Sequence, residues 1–301
     1  MTATRRTSLS VDGPKPKGVH PHSIDEYSGL SQPPHVDRLE RVVPNHAKVE
    51  QLSIPVEDGP DGAVAGFLHL PPDLTSLVPA DHHRTAAILV SGAGGGVTGP
   101  SSIYLSLACK LTALASGVPA LRLDYRYPAR NRYCAGDMRA AMAHLQAAYG
   151  LSRFVLVGWS FGGAPVFTVG GSDDRVVGCA TVASQTAETE GVARLAPTPL
   201  LLLHGTDDRT LSPACSERLY ERYGEKAGWR RLKLFEGDNH ALTENAVAAE
   251  EMLCDFVAQC AGVREDPRAR GDVLYRKLIE EGERTDLMTK GGDLRGSEAI
   301  E

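Results

Sequence analysis

One serine follows a buried strand in a pattern that makes serine hydroxyls reactive. The apolar run RFVLVG (153–158) leads into Gly158-Trp159-Ser160-Phe161-Gly162, and a helical segment (161–170) follows. This G-x-S-x-G junction turns so sharply that side chains two positions before and after the serine would clash, which is why both are glycine. The turn presents Ser160 Oγ at the carboxyl end of the sheet, where open α/β sheets place their sites. We therefore predict Ser160 as a nucleophile.

A serine hydroxyl needs a general base at neutral pH. His240 follows the strand RRLKLFE (230–236), and Asp207 and Asp208 follow the strand TPLLLLHG (198–205). Because the carboxyl ends of parallel strands meet at one edge of a sheet, we expect these side chains to lie near Ser160. We predict His240 as the base and Asp208 as the acid that orients it, with Asp207 as the alternative acid.

Three further polar residues at strand ends are assigned structural roles. His204 follows a strand within the dipeptide His-Gly and is predicted to be a structural residue of the sheet end. Asp238 is predicted to accept a backbone N–H near His240. Asp124, at the end of the strand PALRLDY (119–125), is predicted to accept N–H groups of a loop.

A glycine-rich loop, Ser91-Gly92-Ala93-Gly94-Gly95-Gly96, follows the short strand AAILV (86–90). Glycines let backbone N–H groups turn towards a ligand, so this loop suits an oxyanion hole. We predict the Phe161 N–H as one donor and the Ala93 N–H as the other, with Gly94 as the alternative. The loop matches neither glycine pattern of nucleotide-binding loops. The predicted substrate-binding residues are Gly94, Tyr125, Tyr127, Trp159 and Leu242.

The elements that must position these residues alternate along the chain. Continuous apolar strands that alternate with amphipathic helices predict a mostly parallel sheet covered on both faces. The strands are predicted at 49–56, 63–70, 86–90, 119–125, 153–158, 176–183, 198–205 and 230–236. The helices are predicted at 103–115, 135–149, 161–170, 213–224 and 240–260.

The two ends of the chain differ in composition from its middle. Residues 1–45 are rich in Pro, Ser, Gly and His and are predicted to form a flexible arm. Residues 263–301 are rich in charge and are predicted to form a tail with a short helix near 272–284. The folded domain is then expected to span 46–262.

Composition narrows the class of function. The net charge of −6 argues against nucleic-acid binding, which needs a basic surface. No apolar stretch reaches membrane-spanning length, and the N-terminus lacks the apolar run of a secretory signal. The six cysteines have no metal-ligand spacing and are expected to be buried thiols in a reducing compartment, so we expect a cytoplasmic protein without a metal site.

The body of the chain resembles the α/β-hydrolase family, especially its compact dienelactone hydrolase-like and small-esterase members. The motifs that carry the resemblance are SGAGGG (91–96), LRLDYR (121–126), GWSFGG (158–163), HGTDD (204–208) and DNH (238–240). The resemblance implies an eight-stranded, mostly parallel sheet with helices on both faces. It also implies a triad in the chain order Ser, acid, His, an acyl-enzyme mechanism and no cofactor.

Three features depart from that family. Ser91 begins the glycine-rich loop where His-Gly is common. Dienelactone hydrolases usually carry a Cys nucleophile where this chain has Ser160, so their substrate is not transferred to it. Only residues 184–198 separate the sixth and seventh strands, which predicts a minimal cap and an open site.

These features predict a serine hydrolase that cleaves a carboxylic ester, lactone or thioester of a small molecule. An acyltransferase with the same triad and a non-catalytic ligand receptor on the same fold are the alternatives. A small acyl substrate is the expected partner, with no nucleic acid, membrane or cofactor.

Overall fold

Eight strands form one open sheet at the centre of the molecule. The computed structural model describes residues 24–57, 62–72, 74, 84–224, 228–263 and 267–295. Each of the eight predicted strands is present. The strands are β1 (Lys48–Pro55), β2 (Ala63–Leu70), β3 (Arg84–Val90), β4 (Ala120–Leu123), β5 (Leu151–Trp159), β6 (Val176–Val182), β7 (Leu200–Gly205) and β8 (Arg230–Phe235).

The strand order across the sheet is β1-β2-β4-β3-β5-β6-β7-β8. Strand β2 runs antiparallel to both β1 and β4, and the remaining neighbours are parallel. The parallel strands place their carboxyl ends at one edge, so the loops after β3, β5, β7 and β8 share that edge. The predicted mostly parallel, eight-stranded architecture is confirmed.

Helices cover both faces of this sheet. They are α1 (Asp37–Glu40), α2 (Ile103–Ala113), α3 (Asn131–Tyr149), α4 (Gly163–Gly170), α5 (Ala214–Arg222), α6 (Ala246–Cys260), α7 (Pro267–Leu274) and α8 (Arg284–Lys290). Alternate residues of β5 face opposite sides. Val155 and Val157 join the core under α2 and α6, while Phe154 and Leu156 join the core under α3 and α4.

The helix predicted over 240–260 begins later than its sequence pattern suggests. It starts at Ala246, because the carboxylate of Asp238 holds the preceding residues in a turn. That carboxylate accepts hydrogen bonds from the backbone N–H groups of Asn239, Glu244 and Asn245. His240 is therefore held in a rigid turn rather than on a helix.

The described parts of the predicted arm and tail are folded, which differs from the flexible ends that composition suggests. Leu39 of α1 is fully buried in the main core. The arm and tail also hold each other, because the Arg38 guanidinium contacts Glu280 at 2.6 Å. Apolar burial and this pairing outweigh the polar composition. Residues 1–23 and 296–301 lie outside the described residues.

The tail also differs from the single helix predicted near 272–284. Helix α7 ends at Leu274, and α8 begins only at Arg284, after a short 3-10 turn over Glu281–Glu283. The capping box between Glu280 and Glu283 fixes the start of this turn. Two short helices therefore replace the predicted one.

The connection between β6 and β7 lies against the body of the protein. Its 3-10 helix, Glu190–Arg194, packs on α4 so closely that Gly191 lies against the backbone of Phe167. Within the described residues no helix is both long and apolar enough to cross a bilayer. All six cysteines are free thiols, and four of them are buried.

A buried ion pair connects three of the outer helices, and its removal should destabilise the fold. Lys110 Nζ of α2 lies 3.0 Å from Glu250 Oε1 of α6 and donates to the Leu274 carbonyl of α7 at 2.8 Å. Lys110→Met leaves the Glu250 carboxylate buried without this cation, so we expect a loss of about 3–5 kcal/mol in the free energy of unfolding. Urea denaturation measures it.

The matched control for this prediction is the double variant Lys110→Met/Glu250→Leu. It removes both charges, so it should unfold at a higher urea concentration than the single variant. A single variant as stable as the wild type would contradict the prediction.

Candidate active site

Ser160 lies on a turn that only glycines allow. Its φ angle is +54°, in the left-handed region that non-glycine residues rarely adopt. A Cβ atom on Gly158 would lie 2.6 Å from the carbonyl carbon of Gly162, and one on Gly162 would lie 2.6 Å from the Ser91 oxygen. The strand-to-helix turn is thus held by backbone contact on both sides. It leaves Ser160 only 5% exposed.

His240 and Asp208 form a buried pair. His240 Nδ1 lies 2.7 Å from Asp208 Oδ2, and both side chains are shielded from solvent. An ionised carboxylate only accepts hydrogen bonds, so Nδ1 carries the proton and Nε2 is left as the basic nitrogen. Asp207, the alternative acid, is exposed. The structure therefore brings Asp208, and not Asp207, against the imidazole.

Asp208 accepts hydrogen bonds on both carboxylate oxygens. The backbone N–H groups of Thr210 and Leu211 each donate to Oδ1 at 2.8 Å. Burial alone would raise the pKa of Asp208, but the hydrogen bonds from His204 and His240 outweigh it and hold the pKa well below its usual range. Asp208 is therefore ionised at neutral pH.

His204 is a second imidazole on the same carboxylate. Its Nε2 lies 3.0 Å from Asp208 Oδ2 and 2.9 Å from the Leu211 carbonyl oxygen. Both partners are acceptors, so Nε2 carries the proton and Nδ1 accepts from the Ser216 hydroxyl at 2.7 Å. With both ring nitrogens engaged, His204 has the structural role predicted from the sequence.

Trp159 connects His240 to the strand-to-helix turn over residues 158–162, which we call the nucleophile turn. Its indole N–H donates to the His240 carbonyl oxygen at 3.0 Å, and the two rings lie 5.4 Å apart. Because Trp159 immediately precedes Ser160, this bond fixes the histidine-bearing turn to the serine-bearing turn. The Ser101 hydroxyl donates to the Ala241 carbonyl oxygen at 2.9 Å and holds the histidine turn from the opposite side.

The glycine-rich loop begins in contact with the nucleophile turn. The close approach of the Ser91 carbonyl oxygen to Gly162 joins the loop to the turn. Within the loop, the Gly95 N–H donates to the Gly92 carbonyl at 3.1 Å. Ala93 therefore lies in a tight turn at the same sheet edge as Phe161. Gly94 faces the tail, since a Cβ atom there would lie 2.6 Å from the Arg295 oxygen.

The aromatic and aliphatic residues predicted to line the substrate pocket lie in the core instead. Trp159 and Leu242 have no exposed surface, and Tyr125 is 2% exposed. Tyr125 packs edge-to-face on Phe161 at 6.1 Å, which turns it inwards. Tyr127 is also buried.

The glycine-rich loop is contacted by Asp124 and by the tail, and Asp124 is contacted in turn by the N-terminal arm. The Gly96 N–H donates to Asp124 Oδ1 at 2.7 Å, which is the acceptor role predicted for Asp124. The Tyr27 hydroxyl donates to the other oxygen of that carboxylate at 2.7 Å. Asp293 of the tail also contacts the loop. Sequence reasoning missed Tyr27 and Asp293, because nothing in their local sequence signals a contact this distant.

The fold and site define a class of protein: an open α/β sheet with a Ser-Asp-His arrangement at the carboxyl ends of its strands. A family model described as alpha/beta hydrolase fold matches residues 76–214. This part of the chain is therefore similar in sequence to the α/β-hydrolase family.

Solved structures share this fold at low sequence identity. The esterase domain of a Rhodothermus marinus protein is 18% identical, with a TM-score of 0.55, over 70% of this chain and 98% of that chain. A dienelactone hydrolase from Anabaena variabilis is 15% identical, with a TM-score of 0.58, over 71% and 98%. A serine hydrolase without a lid from Xanthomonas campestris is 16% identical, with a TM-score of 0.53, over 73% and 97%. No curated protein sequence matches the chain.

A methyl group at Gly158 should disrupt the nucleophile turn. In Gly158→Ala the new Cβ meets the Gly162 backbone, which cannot rotate away as a side chain would. We expect about 1–3 kcal/mol of destabilisation and loss of Ser160 reactivity. Urea unfolding and labelling by a serine-directed reagent measure the two effects. Gly29→Ala is the control, because a Cβ at that position meets nothing within 4 Å. Equal behaviour of the two variants would contradict the prediction.

The ionised state of Asp208 should make the free energy of unfolding depend on pH. Its pKa is lower in the folded protein than in the unfolded chain. The resulting stabilisation is complete above the unfolded pKa of about 3.9 and is lost as the pH falls towards the folded pKa. Between pH 6 and pH 3 the wild type should therefore lose more stability than Asp208→Asn does. Parallel pH curves for the two proteins would contradict this, and the exposed Asp207→Asn is the control.

Proposed function

We propose that this protein is a serine hydrolase that cleaves a carboxylic ester, lactone or thioester of a small molecule through an acyl-enzyme on Ser160. The observation that carries the proposal is the buried Asp208–His240 pair, 2.7 Å apart, whose turn is hydrogen-bonded to Trp159 next to the left-handed Ser160. A base that is oriented by a carboxylate and held beside a strained serine is the arrangement that acyl transfer requires.

The first half of the proposed reaction acylates the serine. His240 Nε2 accepts the Ser160 proton while Oγ attacks the substrate carbonyl carbon. The negative charge that develops on the carbonyl oxygen is stabilised by the N–H groups of Phe161 and Ala93. Asp208 stabilises the imidazolium that forms. When the tetrahedral intermediate collapses, the alcohol or thiol leaves with the proton from His240 Nε2.

The second half releases the acid. His240 takes a proton from water, and the resulting hydroxide attacks the acyl carbon through a second tetrahedral intermediate. The bond to Ser160 Oγ breaks, and His240 returns the proton to that oxygen. No cofactor enters the cycle. An alcohol or amine in place of water would give acyl transfer by the same steps.

Two observations support the class and size of the substrate. The structures that share the fold include an esterase domain, a dienelactone hydrolase and a serine hydrolase without a lid. The low exposure of Ser160 and the buried aromatic residues around it favour a small acyl group over a bulky chain.

Mass spectrometry after fluorophosphonate treatment tests the proposal. We expect one label on the peptide that contains Ser160, and none in Ser160→Ala or His240→Ala. Asp208→Asn should label about 10⁴-fold more slowly, since an amide holds the imidazole in the wrong tautomer. Ser172→Ala and Asp207→Asn change exposed residues next to or outside the site and should label like the wild type.

The outcomes separate three functions. A labelled wild type that turns over p-nitrophenyl acetate in water supports the hydrolase. Faster product formation with added alcohol, with the alkyl ester as product, would assign acyl transfer instead. A well-folded wild type that takes no label would overturn the proposal and favour a ligand receptor.

A further inference from the structure

The glycine-rich loop that follows β3 loses much conformational entropy when it is ordered. Gly95 and Gly96 in the loop, and Gly99 just after it, have φ angles between +72° and +103°. Glycines lose more conformational entropy on ordering than other residues do. Within the loop, the Gly95 N–H donates to the Gly92 carbonyl. An N–H group that stabilises an oxyanion must be held in a fixed position, so this loop needs contacts from elsewhere in the chain.

That support comes from Asp293, which lies about two hundred residues further along the chain. Its buried carboxylate accepts four hydrogen bonds from the two ends of the loop. Ser91 Oγ donates at 2.6 Å and the Gly99 N–H at 2.7 Å, both to Oδ1. The Thr98 N–H and hydroxyl donate at 3.0 and 2.7 Å, both to Oδ2. One carboxylate thus closes the loop across residues 91–99.

The backbone of the tail packs against the middle of the same loop. The Val97 N–H donates to the Gly291 carbonyl at 3.1 Å. Cβ atoms on Gly94 or Gly96 would lie 2.6 Å from residues 293–295. The glycines therefore serve this close approach, in addition to any donor function, and the loop and tail form one packed unit.

The tail segment is itself anchored firmly. The Asp293 N–H donates to the Met288 carbonyl at 3.0 Å, and the Met288 side chain is buried in the main core. At the start of α8, the Arg284 guanidinium donates to the Ser101 carbonyl at 2.6 Å, and the Ser102 hydroxyl donates to the Arg284 carbonyl at 2.8 Å. Asp293 is therefore presented from a rigid support.

The support is transmitted directly to the nucleophile turn. Ser91, which donates its hydroxyl to Asp293, is also the residue whose carbonyl oxygen lies against Gly162. Ala93 lies two residues beyond it. Movement of Ser91 would shift the Ala93 N–H relative to Ser160.

We propose that Asp293 is a positioning residue of this active site. Its carboxylate fixes the glycine-rich loop so that the Ala93 N–H faces the carbonyl oxygen of a substrate bound at Ser160. This role rests on the proposed serine-hydrolase function. It makes residues 284–295 part of the active site, although they follow the folded body in sequence.

The geometry requires a carboxylate at position 293. Each of its oxygens accepts one backbone N–H, from Gly99 and Thr98 respectively, and a backbone N–H cannot reverse its role as a hydroxyl can. The amide of Asn has only one acceptor oxygen, so its NH₂ group would face one of these N–H groups. Asp293→Asn therefore breaks the closure although it preserves the size of the side chain.

The rate of fluorophosphonate labelling of Ser160 in the full chain tests this role. We expect Asp293→Asn to label about 10²–10³-fold more slowly, the loss seen when one oxyanion donor is removed. Asp286→Asn is the matched control, because Asp286 lies on α8, the helix that precedes Asp293, is exposed and pairs with Lys290. It should label at the wild-type rate.

The pH profile of labelling distinguishes positioning from general loosening of the site. Burial raises the pKa of Asp293 to about 7, so part of the pH dependence of labelling in the wild type should come from the ionisation that closes the loop. Asp293→Asn has no such titration, so the difference in labelling rate between the two proteins should be large at pH 9 and smaller at pH 6. An equal ratio of the two rates at both pH values would assign Asp293 to the general stability of the site and overturn the positioning role.

The remaining outcomes separate this inference from the proposed function. An unlabelled wild type would reject the function itself. A labelled wild type with an equally fast, folded Asp293→Asn would reject only the inference.

If Asp293→Asn does not fold, Ser91→Ala and Thr98→Val carry the test, because each removes one hydroxyl donor and keeps every backbone bond. Each should slow labelling about five-fold or more, and wild-type rates in both would overturn the proposal.

Discussion

The close packing of backbone at the nucleophile turn is the constraint on which the site depends. The absence of side chains at Gly158 and Gly162 lets the end of β5, the start of α4 and the end of β3 meet at van der Waals contact. A non-glycine residue in the left-handed region costs about 1–2 kcal/mol, so Ser160 keeps this angle because its surroundings fix it. Leu242, two residues past His240, also has a positive φ angle of 55°. Left-handed backbone angles therefore occur in both turns of the proposed proton transfer, the one with Ser160 and the one with His240.

Two buried carboxylates stabilise this arrangement, and their pKa values are shifted in opposite directions. Asp208 and Asp293 each accept four hydrogen bonds, yet the pKa of Asp208 is lowered and burial raises that of Asp293 to about 7. The difference lies in the donors. Two of those on Asp208 are imidazoles, one of which can become a cation, whereas those on Asp293 are hydroxyls and backbone amides that stay neutral. Asp208 is suited to stabilise a charge that appears during a reaction, and Asp293 is suited to hold a shape.

The sequence predicts those features that local patterns determine. The central strands β3 to β7 follow from their continuous apolar runs, because they are buried on both faces. The turn at Ser160 follows from its glycines. The pairing of His240 with Asp208 rather than Asp207 depends on which side chain the turn directs inwards, and the sequence favours Asp208 only through its spacing from β7.

Features that depend on long-range packing are not predicted. The start of α6 is misjudged because helical periodicity continues through a turn that Asp238 holds by side-chain hydrogen bonds. Trp159 and Leu242 are assigned to a pocket wall because position along a strand end does not reveal which way a side chain faces. Composition makes the tail resemble a loose segment, since only contacts with residues almost two hundred positions earlier give Asp293 its place.

The position of Asp293 has a consequence for the order in which the protein matures. A ribosome makes the chain from the N-terminus, so the sheet, Ser160 and His240 emerge before residue 293 exists. Until then the glycine-rich loop has no carboxylate to close it, and the nascent chain carries the proposed nucleophile and base without the proposed oxyanion hole. Catalytic competence would therefore arise in a single late step, when the last helix docks, and the growing polypeptide would remain inert towards cellular esters during synthesis.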